Sequence, residues 1–514
     1  MTKITKKICF NKKTIILGSP GFHLLLFMFV ISVLFLVLPS STASLKENIA
    51  ISQSKRSMDD TKQKSSISIL MLPWLAHGHI SPFLDVAKKL SQRNFHVYFC
   101  STPINLKPIR ETLIDKTFSS IQLVDLHLPS LAELPPHYHT TKDLPPHLMS
   151  TLKAAFDSAK PTFSNILKTL KPNIMIYDIL QPWAPVAAYE ENIEAVMLLT
   201  CGAAASSFMT FYSINDPSKE YHFQAFNFPH AECQKISHFL HYTANGVKNK
   251  ERYLQCIEKS SSIVLIKTTR EIESKYIDYL SDLVGKEIVT VGPLVQEPTS
   301  KDDDMVIIEW LNKKEPSSVV FVSCGSEYFL ALEEMEEIAS GLELSKVSFI
   351  WVVRFHSGDK ITISEALPEG FLERIGERGM VVEGWAPQAK ILGHSSIGGF
   401  VSHCGWSSTL EGMMFGVPII AMPMHLDQPL NAKLVVEVGA GLEVPRENEK
   451  LKGEEVAKVI KKVVMQEEGK EVRKKATQVS ERMKDKGDGD MDVVVEKLVQ
   501  LLEQSRISTA FEEK

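Results

Sequence analysis

Short apolar runs alternate with amphipathic stretches along the chain from residue 66 onwards. Continuously apolar runs predict strands that are buried on both faces of a parallel sheet. After the first run, apolar residues recur at helical spacing, in a helix that we expect to open at Ser81 and Pro82, with a serine cap and a proline in the first turn. The predicted strands of this region are Ile67–Leu72, Phe95–Cys100, Asn173–Tyr177, Ala195–Leu199 and Ser262–Ile266.

The alternation stops at residues 291–294 and resumes after the charged, breaker-rich stretch 297–304, which we interpret as a linker. We therefore expect two parallel α/β domains, at residues 66–296 and 305–490, and a C-terminal helix and tail at 491–514, with the helix ending near residue 504. Ligands of such sheets bind at the carboxyl ends of the strands, so the cleft between the domains is the expected site. The predicted strands of the second domain are Ser318–Ser323, Phe349–Val353, Met380–Glu383, Gly399–Ser402 and Val417–Met422.

Residues 1–65 form an extension that departs from this alternation. Its start is basic, residues 22–38 are an apolar run, and small residues follow it, which is the pattern of a secretory signal or a signal anchor. As a helix the run would span roughly 26 Å, which is marginal against the roughly 30 Å hydrocarbon core of a bilayer. Cleavage, an uncleaved anchor and an unused extension all stay open, and residues 44–65 are interpreted as a polar tether.

Composition and charge exclude several classes of function. The 514 residues include 57 Lys and Arg against 62 Asp and Glu, a net charge of −5, so a nucleic-acid partner is not expected. Seven cysteines are scattered without a CxxC pair, and no HExxH occurs; neither a disulfide framework nor a metal site is therefore expected. Reduced thiols favour the cytoplasm, with membrane association through residues 22–38 as the open alternative.

The glycine-rich motifs of dinucleotide and P-loop proteins are missing, but another anion site is indicated. The strand Gly399–Ser402 runs directly into His403, Cys404 and Gly405. Glycine permits a tight turn there, Ser407 or Ser408 is expected to cap the following helix, and the free N–H groups of its first turn attract anions. A phosphate cradle and a capped helix with nothing bound are equally compatible with this pattern.

Residues 385–428 (WAPQAKILGHSSIGGFVSHCGWSSTLEGMMFGVPIIAMPMHLDQ) resemble, nearly throughout, the signature box of plant family 1 UDP-dependent glycosyltransferases. Residues 73–82, 291–294 and 321–326 are also similar to landmarks of that family, and the resemblance covers about residues 66–505. It implies the GT-B fold, in which two Rossmann-like parallel-sheet domains face each other across a cleft. The second domain would bind the UDP-sugar, which is a co-substrate, and no metal or other cofactor is implied.

The resemblance also implies a set of donor-binding residues. Trp385 would stack on the uracil, Gln388 and Glu411 would contact the ribose, and a carboxylate suits two ribose hydroxyls. Ser326, His403 and Ser408 would hold the diphosphate, and the donor sugar would contact Trp406, Asp427 and Gln428. Ser407 stands where the family usually has asparagine; its hydroxyl can still donate to a phosphate but reaches less far. The complete set is Ser326, Trp385, Ala386, Gln388, His403, Trp406, Ser407, Ser408, Glu411, Asp427 and Gln428.

Two catalytic residues follow from the same resemblance. Sugar transfer to a hydroxyl needs a base near the acceptor oxygen, and the family's base corresponds to His79, with the neighbouring His77 as a pocket wall. Asp178, after the strand Asn173–Tyr177, corresponds to the carboxylate that would orient His79. The implied mechanism is a single inverting displacement, in which Thr200 is a candidate contact of the sugar.

The sequence indicates the identities of the donor sugar and of the acceptor less directly. Gln428 tends in this family to accompany UDP-glucose, and residues 325–330 and 422–431 resemble the branch that adds a sugar to a flavonoid, terpenoid or carotenoid glycoside. The alternatives are transfer to a free aglycone and nucleotide-sugar binding without turnover. The aromatic residues within 206–230 are expected to form either an aglycone pocket or ordinary core. A monomer is the expected assembly.

Overall fold

The computed structural model describes residues 67–113, 118–216, 219–228, 230–295, 305–355 and 361–512. The expected extension at 1–65, with its apolar run at 22–38, and the expected linker at 297–304 lie outside these residues. Within the described ranges, no helix combines the length and the apolar character needed to cross a membrane.

The first sheet is built from the N-terminal half, residues 67–295. Its seven strands are all parallel and lie in the order β3-β2-β1-β4-β5-β8-β9. The strands are β1 Ser68–Leu72, β2 His96–Ser101, β3 Ile121–Asp125, β4 Ile174–Tyr177, β5 Glu194–Leu199, β8 Ile263–Ile266 and β9 Glu287–Thr290, and β6 Thr243–Ala244 and β7 Val247–Lys248 form a separate hairpin. The helices are α1 His77–Ser91, α2 Pro103–Thr112, α3 Met149–Asp157, α4 Lys160–Leu170, α5 Trp183–Tyr189, α6 Ala203–Ile214, α7 His230–His241, α8 Asn249–Lys259 and α9 Arg270–Val284.

The second sheet belongs to the C-terminal half, residues 305–488, and is also fully parallel. Its order is β12-β11-β10-β13-β14-β15. The strands are β10 Val319–Ser323, β11 Ser348–Val353, β12 Gly379–Glu383, β13 Ile397–Ser402, β14 Ile419–Ala421 and β15 Gly441–Glu443. The helices are α10 Met305–Asn312, α11 Leu332–Ser345, α12 Ile363–Ala366, α13 Phe371–Ile375, α14 Gln388–Leu392, α15 Trp406–Met414, α16 Gln428–Glu437, α17 Gly453–Val464 and α18 Lys470–Asp485.

The ten strands predicted from apolar runs are present, with ends that differ by at most two residues. Both sheets are covered on both faces, because alternate residues of a strand enter different cores. In β1, Leu70 and Leu72 belong to one buried cluster, whereas Ile69 and Met71 belong to another. The strands β3, β9 and β15 were not predicted, and all three lie at sheet edges, where a strand needs no continuous apolar run.

Helix α1 begins four residues earlier than expected. The carbonyl of Ala76 accepts hydrogen bonds from the backbone N–H groups of His79 and Ile80, at 3.0 and 2.9 Å, so the first turn forms before Pro82. Pro82 therefore lies inside the helix, where it removes the bond to the carbonyl of Gly78. The expected start at Ser81 is wrong, and the correct start places His77 and His79 in the first turn.

The final helix, α19 Gly489–Glu512, returns to the first sheet. Its apolar side chains, among them Val494 and Leu498, belong to the same buried cluster as Ile69 and Met71 of β1. The expectation of a tail from residue 505 is wrong, because the helix continues to Glu512. The C-terminal end of the chain thus completes the core of the N-terminal half.

Candidate active site

The carboxyl ends of the two sheets face each other across a cavity of about 930 Å³. The N-terminal half contributes residues such as His79 and Thr200, which follow β1 and β5, and the C-terminal half contributes Ser326, Trp385 and His403. The cavity therefore lies where the pattern of parallel strands predicted a site.

A histidine–aspartate pair lies at the N-terminal side of this cavity. Nδ1 of His79 is 2.8 Å from Oδ2 of Asp178, whose residue is fully buried. The carboxylate also accepts hydrogen bonds from the backbone N–H groups of Trp74, at 2.9 Å, and Ile179, at 2.7 Å. Three donors hold Asp178 in place, and Asp178 in turn holds the His79 ring with Nε2 available to a ligand in the cavity.

The charges around His79 favour its protonated form. Burial opposes protonation, but the charge and hydrogen bond of Asp178, with the more distant Glu327 and Asp427, raise the pKa of His79 above its ordinary value. A base with a raised pKa accepts a proton more readily, so the arrangement suits proton abstraction from a hydroxyl in the cavity.

Thr200 and His77 occupy different surroundings. Oγ1 of Thr200 lies 3.1 Å from Nδ1 of His79, so this hydroxyl contacts the candidate base. His77 is exposed and lines the cavity, where its ring meets Trp385 edge-on with centroids 6.3 Å apart. The structure thus pairs a carboxylate with His79 and an aromatic ring with His77.

The candidate uridine contacts cluster on the C-terminal side of the cavity. The Trp385 side chain is 71% exposed, which leaves a ring face open to a base, and Ala386 beside it is buried. Nε2 of Gln388 donates to Oε2 of Glu411 at 2.7 Å and to Oγ of Ser408 at 3.1 Å. Burial raises the pKa of Glu411, although the Gln388 hydrogen bond and the charge of Lys267 oppose the shift.

The first turn of α15 contacts the N-terminal half. Gly405 is the N-cap, so the expectation that Ser407 or Ser408 caps this helix is wrong and both lie within its first turn. Nε1 of Trp406 donates to the backbone oxygen of Lys267 at 2.6 Å, and Trp406 is only 4% exposed. Nζ of Lys267 donates to Oγ of Ser407 at 2.7 Å.

His403 is held between two glycines at the base of the cavity. A Cβ atom at Gly325 or Gly405 would overlap the His403 ring, so only glycine fits at either position. Burial, with a smaller contribution from His425, lowers the pKa of His403 to about 4. The imidazole is therefore neutral at physiological pH, and it can offer a phosphate a hydrogen bond but not a charge.

The loop before α16 is held by its own polar side chains. Oε1 of Gln428 accepts from the backbone N–H groups of Met424 and His425, at 2.9 and 3.0 Å. Asp427 accepts from Nδ2 of Asn431 at 2.9 Å, and both Asp427 and Gln428 line the cavity with Ser326. These hydrogen bonds within the C-terminal half thus fix Asp427 and Gln428 at the wall of the cavity.

The aromatic residues within 206–230 mainly form core. Phe208, at 1% exposed, packs against Tyr221, Phe226 and Phe228 with ring centroids between 4.9 and 6.2 Å apart. The neighbouring wall of the cavity combines small and flexible side chains with two aromatic ones from outside this segment, and it is formed by Cys201, Ala205, Ser206, Met209, Phe239, Leu240 and Tyr253.

Comparison with known families agrees with this geometry. The family model described as "UDP-glucoronosyl and UDP-glucosyl transferase" matches residues 220–495, and the model described as "Glycosyltransferase, N-terminal domain" matches residues 65–296. The chain belongs to this family of UDP-dependent glycosyltransferases.

Two characterised relatives extend the match along nearly the whole transferase. A flavanone 7-O-glucoside 2''-O-beta-L-rhamnosyltransferase from Citrus maxima is 56% identical over 451 residues, 87% of this chain and 100% of the relative. A beta-D-glucosyl crocetin beta-1,6-glucosyltransferase from Gardenia jasminoides is 49% identical, over 85% of this chain and 100% of the relative.

Solved structures show the same fold. A Medicago truncatula protein complexed with UDP-glucose is similar with a TM-score of 0.67 and 26% identity, over 85% of this chain and 98% of its own. A Glycyrrhiza uralensis protein complexed with glycyrrhetinic acid 3-O-monoglucuronide has a TM-score of 0.74 at 23% identity, over 87% and 98% of the two chains. The transferase has the GT-B fold that the resemblance implied.

Lys267 and Glu327 of the transferase each contact the opposite half, and neither was predicted from sequence. Lys267 follows a predicted buried strand directly, and a charge at that carboxyl end was the available signal. Glu327 belongs to the C-terminal half but accepts hydrogen bonds from the backbone N–H of His77, at 3.1 Å, and from Oγ1 of Thr141, at 2.9 Å. Neither contact across the cleft is visible in a local pattern.

No cluster of three or more potential metal ligands occurs among the residues that the structure describes. The six described cysteines are free thiols, and four of them are buried.

Proposed function

We propose that the chain is an inverting UDP-glucose-dependent glucosyltransferase that adds glucose to a sugar hydroxyl of a flavonoid, terpenoid or carotenoid glycoside. The observation that carries the proposal is the His79–Asp178 pair facing a cavity shared with Trp385, Gln388 and Glu411. A base on one side of a cleft and a nucleoside-binding surface on the other are what transfer from a nucleotide sugar requires.

The proposed chemistry is one displacement. Nε2 of His79 takes the proton of the acceptor hydroxyl as its oxygen forms a bond to the anomeric carbon. The bond from that carbon to the β-phosphate oxygen breaks on the opposite face, and its electron pair leaves with UDP. Asp178 stabilises the imidazolium, and the donors at the start of α15 stabilise the charge that develops on the diphosphate.

We propose that residues 66–296 bind the acceptor and residues 305–490 bind the donor. Trp385 and Ala386 would hold the uracil, Gln388 and Glu411 the ribose, and the remaining predicted residues the diphosphate and the sugar. Their exposure to one cavity supports this assignment. The diphosphate residues are Ser326, His403, Ser407 and Ser408, and the sugar residues are Trp406, Asp427 and Gln428.

The glycoside acceptor is supported by the names of relatives. The Citrus maxima relative is named for a flavanone 7-O-glucoside, and the Gardenia jasminoides relative for a glucosyl crocetin. The wall that contains Ala205, Met209, Phe239 and Tyr253 offers both space and apolar surface to such an acceptor. UDP-rhamnose is a second candidate donor, because the relative at 56% identity is named a rhamnosyltransferase.

Purified full-length protein tests the proposal in an assay of UDP release. The donors are UDP-glucose, UDP-rhamnose and UDP-glucuronic acid, and the acceptors are a flavanone 7-O-glucoside, glucosyl crocetin and the free aglycones. We expect turnover with UDP-glucose and glycosides, lost in His79→Ala and kept in His96→Ala, a substitution in β2 outside the cavity. Turnover on aglycones alone would contradict the acceptor, and binding of UDP without turnover on any acceptor would contradict the catalytic proposal.

We also propose that the transferase acts as a monomer in the cytoplasm. The free thiols of its six described cysteines support the location. Fractionation of tagged full-length protein beside a chain starting at Met58 tests the location. Both in the soluble fraction is the expected result, and retention of the full-length form alone in membranes would contradict it.

A further inference from the structure

Lys267 is a buried cation that the proposed mechanism does not use. It follows β8 at the carboxyl edge of the first sheet, and its residue is only 3% exposed. Its backbone N–H donates to the oxygen of Leu199 at 2.8 Å, which ties it to β5. The lysine is therefore part of the rigid sheet rather than of a surface loop.

Both ends of Lys267 meet the first turn of α15. Its backbone oxygen accepts from Trp406, and its ammonium donates to Oγ of Ser407. Within the described residues, Ser407 is the one hydrogen-bond acceptor of this ammonium. A buried residue of the N-terminal half is thus joined to two successive residues of the proposed donor site, of which Ser407 belongs to the diphosphate contacts.

The direction of the Ser407 hydrogen bond follows from the chemistry of the two groups. An ammonium only donates, so Oγ of Ser407 must accept, and its own proton remains for a different acceptor. The described residues provide no acceptor for that proton, and Ser407 lines the cavity. The hydroxyl is therefore set to donate to a ligand rather than to the protein.

The charge of Lys267 also lies beside the first turn of α15. Burial lowers the pKa of Lys267 to about 8, against the opposing charges of Asp85 and Glu411, so the ammonium form predominates at neutral pH. A cation in a region of low dielectric attracts an anion more strongly than an exposed one does. A diphosphate at the start of α15 would lie next to this charge.

We propose that Lys267 is a donor-positioning residue, which orients the Ser407 hydroxyl towards the diphosphate of the nucleotide sugar and adds a positive charge from the acceptor-binding half. The proposal rests on the proposed UDP-sugar site. It makes the first half a participant in donor binding, so that the diphosphate is bound fully only when Lys267 contacts α15.

Titration calorimetry of the full-length protein with UDP, and competition of uridine against UDP, test this role. The variants are Lys267→Met, which removes the charge but keeps the chain length, Ser407→Ala and the double variant. Lys286→Met is the matched control. Lys286 is also partly buried, and its ammonium donates to the backbone oxygens of Ser260 and Ser261 at the amino ends of the strands, away from the cavity.

We expect Lys267→Met to weaken UDP binding by about 10- to 100-fold, the range for a hydrogen bond to a charged group. Uridine, which lacks phosphate, should bind as it does to the wild type. Ser407→Ala should likewise weaken the binding of UDP but not of uridine. In the double variant, the loss of binding free energy for UDP should be smaller than the sum of the two single losses, because the two residues act together. Lys286→Met should leave both ligands unaffected.

Unchanged UDP binding in Lys267→Met, or equal losses for UDP and uridine, would overturn the proposal. If Lys267→Met does not fold, Ser407→Ala is judged by the same criteria. Weaker binding of UDP with unchanged binding of uridine supports the proposal, and unchanged UDP binding or equal losses for UDP and uridine would overturn it. A wild-type protein that binds neither UDP nor uridine would instead overturn the proposed function, and with it this role of Lys267.

Discussion

Replacement of Asp178 by asparagine keeps the size of the side chain but removes the charge beside His79. The carboxylate accepts from Nδ1 of His79 and from the backbone N–H groups of Trp74 and Ile179, and the residue is fully buried. An asparagine has one oxygen for these donors and adds two N–H groups of its own. The ring of His79 therefore loses its charged partner and the restraint on its tautomer.

The size of the effect follows from that one contact. A hydrogen bond to a charged group contributes about 1.5–3 kcal/mol, and the imidazolium forms only as the proton is transferred. Because tenfold in rate corresponds to about 1.4 kcal/mol, kcat should fall by about 10- to 150-fold. The KM for UDP-glucose should change little, since Asp178 lies on the acceptor side.

The pH profile provides a second measurement. The neutral form of His79 is the base, so kcat/KM of the wild type should rise with pH through a pKa that lies above the ordinary histidine value. Without the Asp178 charge, the pKa of His79 falls and this acid limb should move to lower pH. Asp125→Asn, at a half-exposed ion pair with Arg110, is the control and should change neither quantity. An Asp178→Asn protein with wild-type kcat and an unmoved acid limb would refute the assigned base.

Three further variants test other parts of the structure. Trp385→Ala should weaken uridine and UDP alike, by about 1–3 kcal/mol for a lost stacking contact, as measured by calorimetry; unchanged uridine binding would contradict the uracil assignment. Gly202→Ala places a Cβ atom 2.9 Å from the ring of Trp406 and should cost about 1–3 kcal/mol of unfolding free energy in denaturant titration. Gly489→Ala is the control, because Gly489 is helical and the nearest atom to its added Cβ would be 4.0 Å away. Leu498→Ala should lower the unfolding free energy by about 2–5 kcal/mol, because its side chain is fully buried; an unaffected melting temperature would show that α19 contributes nothing to the core.

The sheets could be predicted because their central strands are apolar along their whole length. In β1, successive residues enter two different cores, and this requirement is visible in the sequence as an unbroken apolar run. The edge strands β3, β9 and β15 carry no such requirement and were missed, although the edge strand β12 was predicted. The start of α1 was misplaced because the proline rule favours the first turn, whereas the carbonyl of Ala76 begins the helix before Pro82 is reached.

The site was predicted by resemblance rather than by local chemistry. His79 and Asp178 are 99 residues apart, and no local pattern joins them until the fold brings β1 and β4 together. Lys267 and Ser407 are 140 residues apart and come from different sheets. A charge after a buried strand indicates the edge where Lys267 lies, but its partner depends on how the two sheets face each other, which local periodicity does not encode.

Helix α19 has a consequence for how the chain is made. The cluster that contains β1 also contains Val494 and Leu498, and Thr290 donates a hydrogen bond to Asp490. During synthesis, the N-terminal half emerges first but lacks this part of its core until the last helix has left the ribosome. The core of the N-terminal half therefore stays incompletely covered until about two hundred further residues have been synthesised, because Asp490 lies 200 residues after Thr290. Removal of the C-terminal helix should accordingly cause misfolding of the acceptor half, far from the cut in sequence.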